Sequence, residues 1–335
     1  MRRTPGQVVF VDGPEDLRDI LAHPFDTWRI FLHPVQRKVA LRPSYNGPAQ
    51  VTGGAGTGKT VTALHRARHL ALKGGKRILL TTFTKNLAEA LDRQLTMLVE
   101  DAAVRERVSV KHIDSVSYGI VARHRRPGIA SNDLADQMWE DAADGLPYSA
   151  TFLRREWEHV VLAQDLQSED EYLACSRIGR GVPLSKAQRS VVWTAMSGVV
   201  EGLRKEGKSL FPQLANEAAD LVSEPEYDHV IIDEAQDMHP THWRLLRRLV
   251  ASGPDDLFIV GDPHQRIYDS HVSLGSLGIN VRGRSTKLKL NYRTTQEILT
   301  WAVPLLGLVP AQGLDDSADT LDGYRSPMHG RRPSV

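Results

Sequence analysis

The feature that most constrains the fold is a glycine-rich stretch at residues 53–60, which reads GGAGTGKT. It matches the pattern G-x-x-x-x-G-K-[ST], and it lies between an apolar segment that ends at 50–52 and a segment with helical spacing at 60–72. Glycines allow the backbone to turn tightly, so that successive N–H groups converge on phosphate oxygens, and a following helix adds the positive end of its dipole. The stretch therefore predicts a phosphate-binding loop between a strand and a helix.

The residue types in this loop predict what it binds. We expect the Lys59 ammonium to reach the β- and γ-phosphates of a nucleoside triphosphate, and the Thr60 hydroxyl to bind Mg²⁺. The backbone that would surround the phosphates belongs to Gly53, Gly54, Ala55, Gly56, Thr57 and Gly58. The loop thus indicates a nucleoside triphosphate and leaves the reaction open.

A second motif lies far downstream, where the apolar segment 229–232 runs into the sequence DEAQD at 233–237. In a parallel sheet, carboxylates at the C-terminal end of such a strand lie beside the phosphate loop. We expect Asp233 to hold Mg²⁺, and Glu234 to polarise an attacking water. The motif therefore predicts hydrolysis rather than transfer to a bound alcohol.

Strand–helix alternation surrounds both motifs but is interrupted between them. The interruption at 116–224 carries Trp139, Trp157 and Trp193, several helical runs and little that is typical of a buried strand. We therefore predict an α/β fold with a parallel sheet, interrupted by a mostly helical inserted domain with the tryptophans in its core. The predicted boundaries are an N-terminal extension at 1–29, the sheet domain at 30–115 and 225–310, the insertion at 116–224, and a linker or loose tail at 311–335.

Composition excludes several classes of protein. Lys and Arg number 42 against 41 Asp and Glu, so any contact with nucleic acid must be a local patch. The single cysteine, Cys175, rules out an intrachain disulfide framework and a cysteine-rich zinc module. No apolar run approaches the length of a membrane span, and the N-terminus lacks the apolar core of a signal peptide. We therefore expect a cytoplasmic protein with no membrane partner.

In its two motifs, their spacing and the sequence DEAQD, the chain resembles superfamily 1 DNA helicases of the UvrD/Rep type. The resemblance covers residues 32–306. The resemblance implies a RecA-like P-loop NTPase domain and identifies the insertion with the family's helical 1B domain. It also implies that Gln36 of LHPVQ reads the adenine edge and that Tyr292 of LNYR stacks on the adenine. Gln265 of GDPHQRIY would sense the γ-phosphate, and Arg293 would place a planar cation against it.

The resemblance also implies contacts with DNA. The sequence TFTKN at 82–86 is similar to the segment that contacts single-stranded DNA in the family, although the family order Asn-Lys is reversed here. An aromatic face can stack on a base while hydroxyl, amide and ammonium groups hold phosphates. The expected DNA contacts are Phe83, Thr84, Lys85, Asn86, Ser115 and Tyr268.

The function implied by the resemblance is an ATP-dependent DNA helicase. Hydrolysis of Mg-ATP would drive translocation on single-stranded DNA, 3′ to 5′, and unwinding of partly duplex DNA. The family places a further arginine and two more motifs in a second RecA-like domain, and the residues after Arg293 do not resemble them. Because loss of an arginine finger costs about 10³–10⁵ in turnover, we expect this chain alone to bind Mg-ATP but to hydrolyse it poorly.

Three interpretations stay open at this point. The chain is the N-terminal, ATP-binding part of a truncated UvrD/Rep-type helicase, whose second RecA-like domain is supplied in cis or by a partner chain. Alternatively, it is a stand-alone module that binds ATP and DNA as a regulator without helicase activity. The third interpretation is an unrelated P-loop ATPase or kinase. The cellular pathway, the preferred DNA structure and the oligomeric state do not follow from the sequence.

Overall fold

The computed structural model describes the chain in several stretches. These are residues 32–74, 77–177, 180–265, 274–306, 311–313 and 318–333. The predicted N-terminal extension at 1–29 lies outside the described residues, as does Tyr268. In the part of the chain that the structure describes, no helix is both long enough and apolar enough to span a membrane.

The described residues form two compact units. The sheet unit contains the residues up to Ile113, Glu224–Met238, and those from Leu249 on. The helical unit contains Asp114–Ser223 and His239–Arg248. The helical unit thus draws on two stretches of the chain, the second of which begins shortly after the DEAQD motif.

The sheet unit is built on one large parallel sheet. Its strands are β1 (Ala49–Gly53), β2 (Ile78–Thr82), β3 (Val108–His112), β4 (His229–Ile232), β5 (Leu257–Gly261) and β6 (Ser285–Leu288). Their order across the sheet is β3–β2–β4–β5–β1–β6, and each neighbouring pair is parallel. The predicted parallel α/β fold is therefore confirmed.

Helices cover the sheet and form most of the second unit. In chain order they are α1 (Pro34–Ala40), α2 (Lys59–Leu72), α3 (Lys85–Leu98), α4 (Ala102–Arg105), α5 (Ile113–Val121), α6 (Asn132–Ala143), α7 (Ala150–Glu156), α8 (Glu169–Ala174), α9 (Lys186–Lys205), α10 (Phe211–Leu221), α11 (Pro240–Arg248) and α12 (Gln296–Leu306). A π-helical turn at Trp157–Leu162 continues α7. Short 3₁₀ turns follow β4 and β5, at Ala235–Asp237 and Pro263–Gln265.

The burial of each strand explains how easily it is predicted from the sequence. Every residue of β2 (ILLTT) and β5 (LFIVG) is buried, because interior strands of a parallel sheet are covered on both faces. The edge strand β6 (STKL) buries only Leu288. From the sequence, the resumed strand–helix alternation predicts a strand at 288–290, whereas the ladder with β1 runs through Ser285–Leu288.

The helix that follows the phosphate loop anchors that loop to the core. Ala63, Leu64, Ala67, Leu70 and Ala71 of α2 recur at helical spacing, and all are buried in one apolar cluster with the strands. Such an apolar stripe fixes the rotation of a helix against a sheet. The first residues of α2 are therefore held at a fixed position beside the end of β1.

The helical unit has its own core. Trp139 and Trp157 are buried in it, and Trp193 packs against it partly buried. Trp157 and Trp193 lie with ring centroids 6.5 Å apart. The position predicted for these tryptophans, in the core of the helical region, agrees with the structure.

Candidate nucleotide site

The candidate site lies along one edge of the sheet. Because all six strands are parallel, their C-terminal ends meet at the same edge. The phosphate loop follows β1, and the TFTKN segment begins at the end of β2. Asp233 follows β4, Asp262 follows β5, and the sequence NYR at 291–293 comes shortly after β6. The fold therefore brings together segments that are widely separated in sequence.

The loop itself depends on a glycine at one position in particular. Gly58 has a φ of +79°, in the left-handed region where a side chain is strained. A Cβ atom added there would lie 2.1 Å from the Gln36 amide nitrogen. That nitrogen donates to the Thr57 carbonyl at 2.8 Å, so Gln36 packs directly on the loop.

Lys59 folds across the loop. Its ammonium donates to the Gly54 carbonyl at 3.0 Å and lies 3.6 Å from Asp262 Oδ2. The Thr57 hydroxyl donates to the same Gly54 carbonyl at 2.8 Å. The cation predicted to hold phosphates thus already lies over the loop, next to the buried carboxylate that follows β5.

Thr60 and Asp233, the two residues predicted to hold Mg²⁺, are in contact. The Thr60 hydroxyl donates to Asp233 Oδ2 at 2.9 Å. Burial, and then the neighbouring Glu234 carboxylate, raise the pKa of Asp233 to about 7. A hydroxyl and a carboxylate are the oxygen ligands that Mg²⁺ prefers, and a cation would favour the ionised form of this carboxylate. The residues present therefore fit a magnesium ion.

Glu234 is held in an unusual backbone conformation. Its φ of +52° and ψ of +44° place a side-chain-bearing residue in the left-handed region. Its Oε2 accepts from the Gln236 amide at 2.8 Å, and the Gln236 Oε1 accepts from the Asp262 N–H at 2.9 Å. Gln236 therefore links the end of β4 to the end of β5. Backbone strain of this kind clusters at functional sites.

Gln265 contacts the same region from the turn after β5. Its amide donates to Asp262 Oδ2 at 2.7 Å, although the residue is largely exposed. Asp262 itself is buried, and burial raises the pKa of its carboxyl. The carboxylate of Asp262 is thus shared between Gln265 and Lys59.

On the side predicted to bind the adenine, Gln36 and Tyr292 both lie against the loop. The Gln36 Oε1 accepts from the His33 N–H at 2.8 Å, and the Tyr292 N–H donates to the Gly56 carbonyl at 2.8 Å. The ring of Tyr292 lies 4.9 Å from that of His33, centroid to centroid. The two residues predicted to contact the base therefore flank the phosphate loop, together with an imidazole.

Arg293 is exposed at the same place. Asn291, two residues earlier, donates from its side chain to the Ala55 carbonyl at 3.0 Å and accepts from the Arg293 N–H at 2.7 Å. The Asn291 side chain therefore links the phosphate loop to the backbone at Arg293. The guanidinium is thus carried on a fixed backbone and is open to solvent.

The residues predicted to contact DNA occupy two places. Phe83 is half-buried at the end of β2, while Thr84, Lys85 and Asn86 are exposed in the first turn of α3. The Thr84 hydroxyl caps that helix by accepting from the Leu87 N–H at 3.3 Å. Ser115 is half-buried on α5 in the helical unit.

Several residues of the site were missing from the predicted set. These are His33, Gln236, Asp262, Asn291 and, from the tail, Tyr324. The first four lie inside the motifs already quoted, and Asp262 follows a fully buried strand in the same way as Asp233. A rule that selects every polar residue at a strand end would have found Asp262. Nothing in the local sequence indicates Tyr324.

The fold and the site define the class of protein. The phosphate loop follows β1, and the buried Asp233 after β4 accepts a hydrogen bond from Thr60 at the start of α2. This arrangement is typical of α/β P-loop nucleotide-binding proteins. The particular family follows from comparison with known proteins. The family model described as "AAA domain" matches residues 36–271, and the chain belongs to that family.

Individual relatives are DNA helicases by name. The chain is 26% identical over 325 residues to the ATP-dependent DNA helicases UvrD2 of Mycobacterium bovis and Mycobacterium tuberculosis, covering 87% of this chain and 45% of each relative. It is 25% identical over 304 residues to YjcD of Bacillus subtilis, which is provisionally named an ATP-dependent DNA helicase, covering 83% and 38%. The predicted resemblance to UvrD-like superfamily 1 helicases is therefore confirmed. The chain spans less than half the length of these relatives.

Proposed function

We propose that this chain is the ATP-binding part of a UvrD-like DNA helicase, in which hydrolysis of Mg-ATP drives translocation on single-stranded DNA. The observation that carries the proposal is the meeting of Lys59, the Thr60–Asp233 pair and Glu234 at one sheet edge. The names of the relatives support the helicase assignment. The domain boundaries given above, a cytoplasmic location and a 3′-to-5′ direction belong to the same proposal.

The proposed chemistry divides among the residues of the site. Lys59 moves from the Gly54 carbonyl to the β- and γ-phosphates, while Thr60 and Asp233 hold Mg²⁺. When bound, Mg²⁺ neutralises charge on the phosphate oxygens. Glu234 accepts a hydrogen bond from the attacking water and orients it toward the γ-phosphorus. Both carboxylates lie at the end of β4, so the water and the metal site are positioned by one strand.

The remaining residues recognise the nucleotide. Gln265 senses the γ-phosphate from its hydrogen bond with Asp262, and Arg293 places its guanidinium against the charge that develops there. Gln36 and Tyr292 hold the adenine, which requires the amide and the ring to turn from their contacts with the loop and with His33. Each of these side chains is anchored on a segment that hydrogen-bonds to the phosphate loop or to Asp262.

The proposed DNA contact begins at the end of β2, the strand next to β4 in the sheet. Phe83 stacks on a base, and the exposed Thr84, Lys85 and Asn86 hold the backbone phosphates. Ser115 and Tyr268 are further proposed contacts, and Tyr268 lies outside the described residues. Because β2 and β4 are hydrogen-bonded neighbours, the residues proposed to contact DNA and those proposed to hold Mg²⁺ follow adjacent strands.

A complete motor also needs a second RecA-like domain, which further sequence or a partner chain would supply. Two observations support this part of the proposal. The relatives are more than twice as long as the stretch that this chain matches. In addition, α12 exposes a row of large apolar side chains, with Ile298 at 41%, Trp301 at 52% and Leu305 at 55% exposure. An apolar row of this kind is typical of a covered surface.

The proposed DNA contact is tested by fluorescence anisotropy of a labelled oligo-dT strand on the purified chain. Loss of one stacked base is worth about 1–3 kcal/mol, so we expect Phe83→Ala to weaken binding by about five-fold or more. Met97→Ala is the matched control, because Met97 is an exposed apolar side chain near the other end of α3. A Phe83→Ala protein that binds as tightly as the wild type would contradict the proposed contact.

A further inference from the structure

The tail of the chain contains a segment that reaches the nucleotide site. Residues 320–330, which we call the strap, run alongside the segment that leads from β6 to α12. The Asn291 N–H donates to the Arg325 carbonyl at 2.9 Å, and the Arg325 N–H donates to the Lys289 carbonyl at 3.1 Å. Leu290 and Arg325 thereby form a parallel bridge. The sequence favours a loose tail here, whereas the structure ties this segment to the sheet unit.

Side chains hold the strap on its C-terminal side. The Ser326 hydroxyl donates to the Thr294 carbonyl at 2.6 Å, and the Ser326 N–H donates to Gln296 Oε1 at 2.7 Å. Further along, the Gly330 N–H donates to Glu297 Oε2 at 2.8 Å. Ser326 is buried. These contacts fix the backbone from residue 325 onward, next to the residue that reaches the phosphate loop.

That residue is Tyr324, and it contacts the phosphate loop. Its hydroxyl accepts a hydrogen bond from the Gly54 N–H at 2.6 Å. The contact is close along the ring as well, because a Cβ atom added to Gly54 would lie 2.7 Å from Tyr324 Cε1. On its other side, Gly54 offers its carbonyl to Lys59 and to Thr57. Gly54 is thus held by the strap through its N–H and by the loop's own side chains through its carbonyl.

Contacts that fix the backbone matter more for a glycine than for other residues, because a glycine is more flexible without them. The loop begins with two consecutive glycines, and glycine loses more backbone freedom on ordering than any other residue. A hydrogen bond that already fixes Gly54 reduces the ordering that the triphosphate must impose. It also fixes the residue whose carbonyl holds the Lys59 ammonium in place before the nucleotide arrives.

We propose that Tyr324 is a positioning residue of the nucleotide site, and that the strap pre-orders the phosphate loop for a nucleoside triphosphate. The inference rests on the proposed nucleotide-binding function and adds a residue that lies outside all of its motifs. Tyr324 acts through Gly54 and Lys59 rather than on the reacting atoms. Its hydroxyl therefore affects the affinity for Mg-ATP more than the rate of the chemical step.

The test measures binding of a fluorescent ATP analogue, with Mg²⁺, to the full 335-residue chain and its Tyr324→Phe variant. Removal of one hydrogen bond of ordinary strength predicts an affinity about five-fold weaker. We expect single-stranded DNA affinity and the thermal midpoint of the nucleotide-free protein to be unchanged, which distinguishes positioning from a loss of fold. Tyr148→Phe is the control, because this half-buried tyrosine lies in the helical unit.

A second pair of variants tests the contact itself. Gly54→Ala adds a methyl group against the Tyr324 ring, so it should weaken nucleotide binding strongly in the wild-type background and much less in a Tyr324→Ala background. Equal losses in both backgrounds, or an affinity of Tyr324→Phe that is unchanged or higher, would overturn the inference. Failure of the wild type to bind the analogue would instead overturn the proposed function, so the two failures are distinguishable.

Discussion

Asp233 and Glu234 are neighbours in the chain but lie in different environments. Asp233 is buried and accepts from the Thr60 hydroxyl, whereas Glu234 is half-buried and accepts from the Gln236 amide. Glu234 has a left-handed backbone, and its carboxylate lies close enough to Asp233 to raise the pKa of that group. Two adjacent carboxylates can therefore serve two purposes, one at the metal and one at the water.

This division predicts the result of a single substitution at residue 234. Glu234→Gln keeps the shape of the side chain and an oxygen that can accept from Gln236, but it removes the base. We expect Mg-ATP affinity to stay within about two-fold. Loss of a general base costs about 10²–10⁴ in rate, so the turnover of this chain, already slow without a second domain, should fall to the background rate. Turnover is measured by phosphate release, with the exposed Glu224→Gln as control. Unchanged turnover in Glu234→Gln would refute the assignment of the base.

At the scale of elements, the sequence predicted most of the sheet for a simple physical reason. Interior strands such as β2 and β5 are apolar throughout, and the motif residues follow them directly. The edge strand β6 was displaced in the prediction because it has a neighbouring strand on one side only, and its ladder passes through mostly polar residues, with only Leu288 buried.

The strap was not predictable in the same way. Its composition is rich in Gly, Asp, Ser and Pro, which is typical of loops. Its position depends on hydrogen bonds with residues about thirty positions away, such as Ser326 with Thr294, and these contacts have no local signature in the sequence. Asn291 and Gln236 were missed for a related reason, since each acts through the backbone of another motif.

Just before α11 lies a half-buried histidine, His239, whose charge state bears on stability. His239 Nε2 donates to the Glu158 carbonyl at 2.9 Å, and Nδ1 lies 2.9 Å from the Thr241 hydroxyl. Burial, and then the nearby His242, lower the pKa of His239 to about 3. The other charged or titratable groups that face it are His159 and Arg244. The folded helical unit therefore keeps this imidazole neutral.

This predicts how stability depends on pH. An unfolded histidine has a pKa of about 6.5, so below that value the unfolded state binds the proton before the folded state does. We expect this histidine to have no effect on the free energy of unfolding above about pH 6.5. Between there and pH 3, the free energy of unfolding should fall by up to about 1.4 kcal/mol per pH unit. His239→Gln, which keeps a donor for the Glu158 carbonyl but does not titrate, should show a shallower dependence. Urea unfolding of both proteins at several pH values checks this, and identical slopes would contradict it.

In the molecule as a whole, the two compact units contain different sets of functional residues. The sheet unit contains every described residue of the proposed nucleotide site, from Gln36 to Tyr324. The helical unit has a separate aromatic core and contributes Ser115 to the proposed DNA contacts. The near-zero net charge of +1 agrees with DNA contacts made by a small set of loop residues. The chain matches 45% or less of the length of its relatives.

We propose above all that the edge of the sheet binds a nucleoside triphosphate through Lys59. Calorimetric titration of Mg-ATP into the purified chain tests it most directly. We expect the wild type to bind with a dissociation constant in the range of about 1 μM to 1 mM, and Lys59→Ala to weaken binding at least about ten-fold. Lys38→Ala, which removes an exposed lysine of α1, should bind like the wild type. A wild type that does not bind Mg-ATP, or a Lys59→Ala variant that binds it equally well, would contradict the account.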